Sequence, residues 1–293
     1  MARFILSAFA DEAANDLEGQ IAALKRCGID YIEPRNIDGK SVSYMSEEEL
    51  RAVRARLDEA GIRVSSLGSP IGKYAIEKPF EEHLEQTRLA LRAAEILGTG
   101  NIRMFSFFVK QEELSLHRDE VLRRLGIMLE EAKAKGIRLC HENESEIYGQ
   151  MPAQVRDLLT SLPDLFGIHD PANYRMNGAD VLEGIRATLP SLAYMHIKDA
   201  IYEEQAIVPA GEGEGKIGEA LSLIDAHTDG EIFLTVEPHL KSFDAYASVD
   251  KHQLKGKHFF TNNNESFDFA VKSLEKVLQN EGFAKDEQNR WIR

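Results

Sequence analysis

The chain has 293 residues, of which 43% are hydrophobic, 29% charged and 8% aromatic, a composition and length that allow a large core. Its 35 basic and 49 acidic residues leave a net charge of −14, which repels phosphate backbones and anionic headgroups and sets nucleic acid and membrane partners aside. The only cysteines, Cys27 and Cys140, do not make a disulfide framework and fit a reducing compartment.

The first apolar run, FILSAF, begins at Phe4. It is too short, and too soon followed by acids, for a secretory leader, and reads as a strand. No run of about 18 apolar residues follows anywhere, so no spanning helix is expected. The expectation is a soluble, cytoplasmic protein. Leu17, Ile21, Leu24 and Gly28 then recur at helical spacing. A second run, DYIEP, starts at Asp30, and a helix follows with Ser46 and Glu49 at capping-box spacing.

RVSSLG from Arg63 is the third run, succeeded by the stripe Phe80, Leu84, Thr87, Leu91 and Ala94. The fourth, IRMFSFF, starts at Ile102 and leads to Val121, Leu125, Met128 and Ala132. The fifth, IRLCHE from Ile137, precedes Pro152, well suited to a first helical turn because its missing N–H leaves no intrahelical bond unmade. FGIHD from Phe166, LAYMHI from Leu192 and IFLTVE from Ile232 complete the set. After them come a long polar and aromatic stretch, from about Lys241 to Asn263, and a last helical stripe at Phe267, Val271, Leu274 and Val277.

Eight such runs, spaced by about 33 residues, match the size of a βαβ unit. Glycines in CGID, AGIR, LGTGNIR and KGIR punctuate the joins from helix to strand. An open doubly wound sheet usually starts with a Gly-rich phosphate loop, whereas the first strand here leads into AFADEAAND, which has no glycine. The pattern predicts a closed (β/α)8 TIM barrel in a single domain over residues 1–293, with a long loop and a closing helix after the eighth strand.

In such a barrel the active site gathers at the C-terminal strand ends. Polar residues cluster there in the second half: CHENE, HDPAN, HIKD and VEPH. The simplest convergent set takes one side chain from each: Glu142, Asp170, His196 and Glu237. Three carboxylates at one point would raise one another's pKa by whole units unless a cation joins them. An oxygen-rich set favours Mn²⁺, Mg²⁺ or Co²⁺ over Zn²⁺, with Mn²⁺ placed first. Alternation along the eighth run puts Phe233, Thr235 and Glu237 on one face. Cys140 reads as a core residue, and His169 and His239 as hydrogen-bond donors near the ligands or as plain loop residues.

HENE, DPANY, HIKDA, the glycine-rich PAGEGEG and VEPH together resemble the xylose isomerase-like barrel superfamily, over most of the chain. That superfamily includes sugar phosphate isomerases and epimerases, inosose isomerases and dehydratases, and endonuclease IV-type repair enzymes. The resemblance implies one divalent metal held by Glu142, Asp170, His196 and Glu237. It implies a sugar or cyclic polyol ketone as substrate, a proton removed through a metal-stabilised enediolate, and Glu142 and Glu237 as the acid/base pair. Lys198, Asn173 and His239 are the candidates for contacting substrate; Lys198 could equally pair with Asp199 or a nearby carboxylate.

Many of the epimerases carry a His where Asn173 stands, and the endonucleases need more histidines than this chain supplies. The stretch Gly211–Gly215 lacks the Lys-Ser/Thr of a phosphate loop and reads as a mobile active-site loop. A dehydratase on the same metal site, and a non-catalytic sugar-binding barrel, are the alternatives. A homo-oligomer is an open expectation, with Phe243, Tyr246, Phe259 and Phe260 as candidate contacts.

Overall fold

The computed structural model describes residues 1–240 and 258–293. Eight parallel strands make the barrel: β1 Ala2–Ala8, β2 Tyr31–Ile32, β3 Arg63–Val64, β4 Asn101–Met104, β5 Arg138–Glu142, β6 Phe166–His169, β7 Leu192–Ile197 and β8 Gly230–Val236. Strands β4 to β8 pair in sequence order, and β8 returns to β1 with Phe4 opposite Ile232. Strands β2 and β3 pair with each other at Tyr31 and Arg63. Backbone bonds then close the ring on both sides of them. Glu33 N donates to Ala8 O at 3.1 Å, Leu67 N to Asn101 O at 2.9 Å, and Arg103 N to Leu67 O at 3.0 Å.

The third run makes only a two-residue strand, and its serines explain why. Ser65 Oγ donates to Ile32 O at 3.1 Å and Ser69 Oγ to Arg103 O at 2.8 Å. Hydroxyls that take up neighbouring carbonyls compete with a regular ladder. The rest of that run keeps its place in the wall through backbone bonds at Leu67 and Gly68 together with these side chains.

Helices α1 Leu17–Arg26, α2 Glu47–Ala60, α3 Phe80–Leu97, α4 Leu114–Lys133, α5 Pro152–Ser161, α6 Pro171–Met176, α7 Val181–Thr188 and α8 Ile217–His227 follow the strands. The capping box forms: Glu49 N donates to Ser46 Oγ at 3.3 Å, and Ser46 N to Glu49 Oε2 at 2.9 Å. Gly61, at φ 68°, ends α2 in the left-handed conformation that a Cβ would oppose. Pro152 is the first residue of α5. Phe4, Leu139, Met195 and Leu234 are fully buried inside the wall. Each such side chain contributes roughly 1.5–3 kcal/mol of apolar burial.

The closing helix α9, Asn263–Asn280, buries Phe267, Val271, Leu274 and Leu278. Beyond it the segment Trp291–Ile292 pairs antiparallel with β1 at Phe4, an addition the sequence pattern did not suggest. Most of the long stretch after β8, with Phe243 and Tyr246, lies outside the described residues. Of the remaining candidate contacts, Phe260 packs on Phe269 with ring centroids 5.5 Å apart, whereas Phe259 is 98% exposed. No helix among the described residues is long and apolar enough to cross a membrane.

Candidate metal centre

Four consecutive strands each deliver one chelating side chain at the C-terminal mouth. Glu142 is the last residue of β5, Asp170 follows β6, His196 lies near the end of β7 and Glu237 follows β8. One ligand atom from each lies within 4.8 Å of all the others, and all four residues are buried. Strand alternation sends the neighbouring histidines elsewhere. His141 Nε2 is 2.9 Å from Ser106 Oγ, and His169 packs against the Tyr174 ring at 5.5 Å.

Local structure fixes each ligand. Asp170 is the N-cap of α6, its Oδ1 accepting from Asn173 N at 2.9 Å. Its backbone is also locked to Asn143, whose amide accepts from Asp170 N at 3.0 Å and donates to Asp170 O at 2.9 Å. Asn173 Nδ2 donates to Asn143 O at 2.9 Å and to Glu142 Oε1 at 3.4 Å, so this side chain braces the end of β5 against α6. His196 Nδ1 stands 2.9 Å from Glu142 Oε1 and 3.6 Å from Glu237 Oε2.

Cations ring the cluster. Lys198 Nζ bridges Asp170 Oδ2 at 3.0 Å and Glu237 Oε2 at 3.3 Å, so its partners are these two and not Asp199. Arg103 Nη1 donates to Glu142 Oε2 at 3.2 Å. Arg35 Nη1 reaches Glu237 Oε1 at 3.4 Å. His239 sits beside Glu237, Nδ1 to Oε1 3.5 Å, with its backbone N–H donating to Glu12 Oε2 at 2.6 Å. Glu12, Glu237 and His239 form a second close trio, but the Arg35 guanidinium, 3.2 Å from Glu12, already supplies its positive charge.

These neighbours set the protonation states. Burial works against the Glu142 charge, yet the His196 imidazolium and Arg103 outweigh it and lower its pKa to about 2. Burial likewise opposes ionised Glu237, which Lys198, His239, His196 and Arg35 hold well below the usual carboxylate range. Burial would lower His196, but Glu142 and Glu33 raise it to about 10. For Asp170 burial wins, with help from Glu237 and Glu142 and against Lys198, and its pKa rises to about 7. His239 is pushed down to about 3, chiefly by burial.

The donor set fits a divalent cation. Asp170 Oδ2 is buried and accepts no hydrogen bond, although Lys198 lies within ion-pair distance. Three carboxylate groups and one imidazole nitrogen suit Mn²⁺, Mg²⁺, Co²⁺ or Zn²⁺. Added positive charge would also relieve the repulsion that burdens Asp170.

The glycine-rich stretch wraps around Asp199. The N–H groups of Gly211, Gly213 and Gly215 donate to the Asp199 carboxylate at 2.9, 3.0 and 2.7 Å, and Ala200 N adds a fourth bond at 2.8 Å. A Cβ on Gly213 would lie 2.2 Å from Asp199 Oδ1, so only glycine admits this wrap.

Glu12, Glu33, Arg35 and Arg103 join the site without belonging to the strand-end pattern of its second half. Glu33 and Arg35 flank Pro34 just after the second run, and Arg103 is a charge inside an apolar strand. A charge in such a place needs a partner, and that was the available signal.

The xylose isomerase-like TIM barrel family model matches residues 21–250. The chain belongs to that family. No curated protein matches it in sequence. Among solved structures, D-psicose 3-epimerase in the presence of D-fructose is 16% identical, with 95% of this chain and 99% of that one covered and a TM-score of 0.71. The probable 3-DHS dehydratase AsbF from Bacillus anthracis is 16% identical, covering 94% and 99%, with a TM-score of 0.69. The IolI protein with a bound zinc atom is 15% identical, covering 94% and 99%, with a TM-score of 0.72. At these identities the likeness carries the fold, and the family members around it are mostly enzymes.

Proposed function

We propose that this chain is a divalent-metal-dependent isomerase or epimerase acting on a sugar or cyclic polyol ketone. The supporting observation is the buried cluster of Glu142, Asp170, His196 and Glu237 at the barrel mouth. These four would hold the cation, Mn²⁺ ahead of Mg²⁺, Co²⁺ or Zn²⁺. When bound, it would supply Lewis acidity to a substrate carbonyl, making the adjacent C–H acidic.

The chain's own residues do the proton work. Glu142 and Glu237 come from strands on either side of the cluster, and both are ionised in the site described above. One carboxylate takes the proton from carbon, and the other, after picking up a proton from solvent, returns one to the opposite side, which inverts or relocates the stereocentre; the first then gives its proton to solvent and the site is restored. Arg103 and Arg35 steady these two carboxylates, and Asn173 fixes the Glu142 side chain. Lys198, with its ammonium at Asp170 and Glu237, is placed to contact a substrate hydroxyl, and His239 lines the same wall. The reading is one of a cytoplasmic enzyme of small carbohydrates, without nucleic acid or membrane partners.

Lys198 also favours a second reading. An ammonium beside the acid/base carboxylates could protonate a departing hydroxyl, making the enzyme a dehydratase of a keto-polyol; AsbF is named a probable 3-DHS dehydratase. Incubation with Mn²⁺ and a panel of ketoses and inosose-like ketones in deuterated water tests both. An isomeric product, heavier than the substrate only by its carbon-bound deuterium, supports the isomerase, and loss of one water supports the lyase. A barrel that binds these compounds without deuterium uptake and without metal would be a binding protein, and the proposal would fall.

A further inference from the structure

We infer that Glu33 is a positioning residue for His196, its carboxylate taking the imidazole Nε2–H and so holding Nδ1 toward Glu142, Asp170 and Glu237. The inference rests on the metal reading proposed above. Glu33 follows β2 and is fully buried. Its Oε2 lies 3.4 Å from His196 Nε2 and accepts the Thr235 hydroxyl at 2.8 Å. Its Oε1 accepts from the Tyr194 hydroxyl at 2.9 Å, and that hydroxyl is 2.8 Å from Ser66 Oγ. Strands β7 and β8 thus supply the partners of one buried carboxylate, with Ser66 behind Tyr194.

The charge balance singles Glu33 out. Asp11, Glu12 and Glu237 share Arg35, and Glu142 has Arg103. Among the described residues, the ion pairing of Glu33 comes down to His196 alone. Its other partners are the neutral hydroxyls of Tyr194 and Thr235. Its position is accounted for when the imidazole opposite is the group it serves.

The ring geometry gives the service a direction. Nδ1 faces the cluster, 2.9 Å from Glu142, while Nε2 faces Glu33. The Phe9 ring meets the imidazole edge-on at 5.0 Å and the Tyr194 ring lies at 5.5 Å, so the flanks are closed by apolar contact. Rings alone fix the plane but not which nitrogen points where; the Glu33 carboxylate does that. It also makes Nδ1 a stronger electron donor, as a carboxylate on the far side of a ligating imidazole does.

The test compares Mn²⁺ affinity, by competition with a chromophoric chelator, in wild type, Glu33→Met, Glu33→Gln and Thr235→Val. Asp170→Ala serves as the control for the metal site itself. Thermal melts report folding. The His196 Nε2–H proton is followed by NMR in metal-free protein. Glu33→Met should weaken Mn²⁺ binding by about 10–100-fold, the usual effect of losing such a partner. Glu33→Gln should recover part of the loss, and Thr235→Val should weaken binding less but in the same direction, which covers a Glu33→Met chain that fails to fold. The Nε2–H proton should be protected from solvent exchange in wild type and lose protection without Glu33. Binding within twofold of wild type in folded Glu33→Met and Thr235→Val, with the proton unchanged, overturns the inference while the metal reading stands. Wild type that binds no Mn²⁺ yet shows the Glu33-dependent proton overturns the metal reading and leaves the orienting contact in place.

Discussion

Arg35 and Glu237 meet across the barrel mouth although 202 positions separate them, with Nη1 3.4 Å from Oε1. The same guanidinium holds Asp11 through two bonds of 3.0 Å and Glu12 at 3.2 Å, and it lies over the Phe9 ring at 4.4 Å. One cation therefore serves three buried carboxylates. Arg35→Met would remove the guanidinium from all three at once, leaving Glu237 with Lys198 and His196 and Asp11 without its ion pair. A loss of about 3–5 kcal/mol is expected, as for other broken buried pairs. Urea unfolding of the metal-free protein measures it, and a loss below about 1 kcal/mol would show that the trio finds charge elsewhere.

The distance between those two residues explains which parts of the site were legible in the sequence. Glu142, Asp170, His196 and Glu237 each stand where an apolar run stops, so strand order alone proposes that they converge, and the barrel brings their atoms together. The first half of the barrel gives no such cue. Its second and third strands are two residues long, and Arg103 looks like an interruption of an apolar run until Glu142 is seen beside it. Asp199 was legible as a strand-end acid, but its role was not. Four backbone N–H groups converging on one carboxylate are a property of loop conformation, invisible in spacing.

That carboxylate supports a prediction. Asp199→Ala removes the acceptor for Ala200, Gly211, Gly213 and Gly215 at once. Amides left without partners cost about 1–3 kcal/mol where they stay buried, so the loop should detach. Hydrogen exchange across residues 209–216 should rise in Asp199→Ala, with the distant β4 amides unchanged. Unaltered protection in the loop would mean that other contacts hold it.

The proposed acid/base pair predicts a matched effect at two positions. Glu142→Gln and Glu237→Gln keep each side chain's size while removing the proton acceptor, and each should cut turnover by about 10²–10⁴-fold. The two should differ in exchange. If one carboxylate takes the proton and the other returns it, one variant should still wash substrate deuterium into solvent without net product. Full turnover in either variant would remove that residue from the pair.

Metal binding should be pH-dependent, with a sign fixed by the protons already in the cluster. In the metal-free site His196 titrates at about 10 and Asp170 at about 7, so near neutrality the imidazole is protonated and the aspartate half so. A divalent cation needs the neutral imidazole and the ionised carboxylate, and must displace these protons. Affinity therefore rises with pH. Below about pH 7 it should fall by up to a hundredfold per unit, because both groups compete; from about pH 7 to 9 His196 alone competes, and the slope should approach tenfold per unit. Calorimetry with Mn²⁺ in two buffers of different ionisation enthalpy counts the protons released directly. Zero release at neutral pH would show that His196 enters the site unprotonated, and that the pull of Glu142 and Glu33 on its proton is weaker than their distances of 2.9 and 3.4 Å imply.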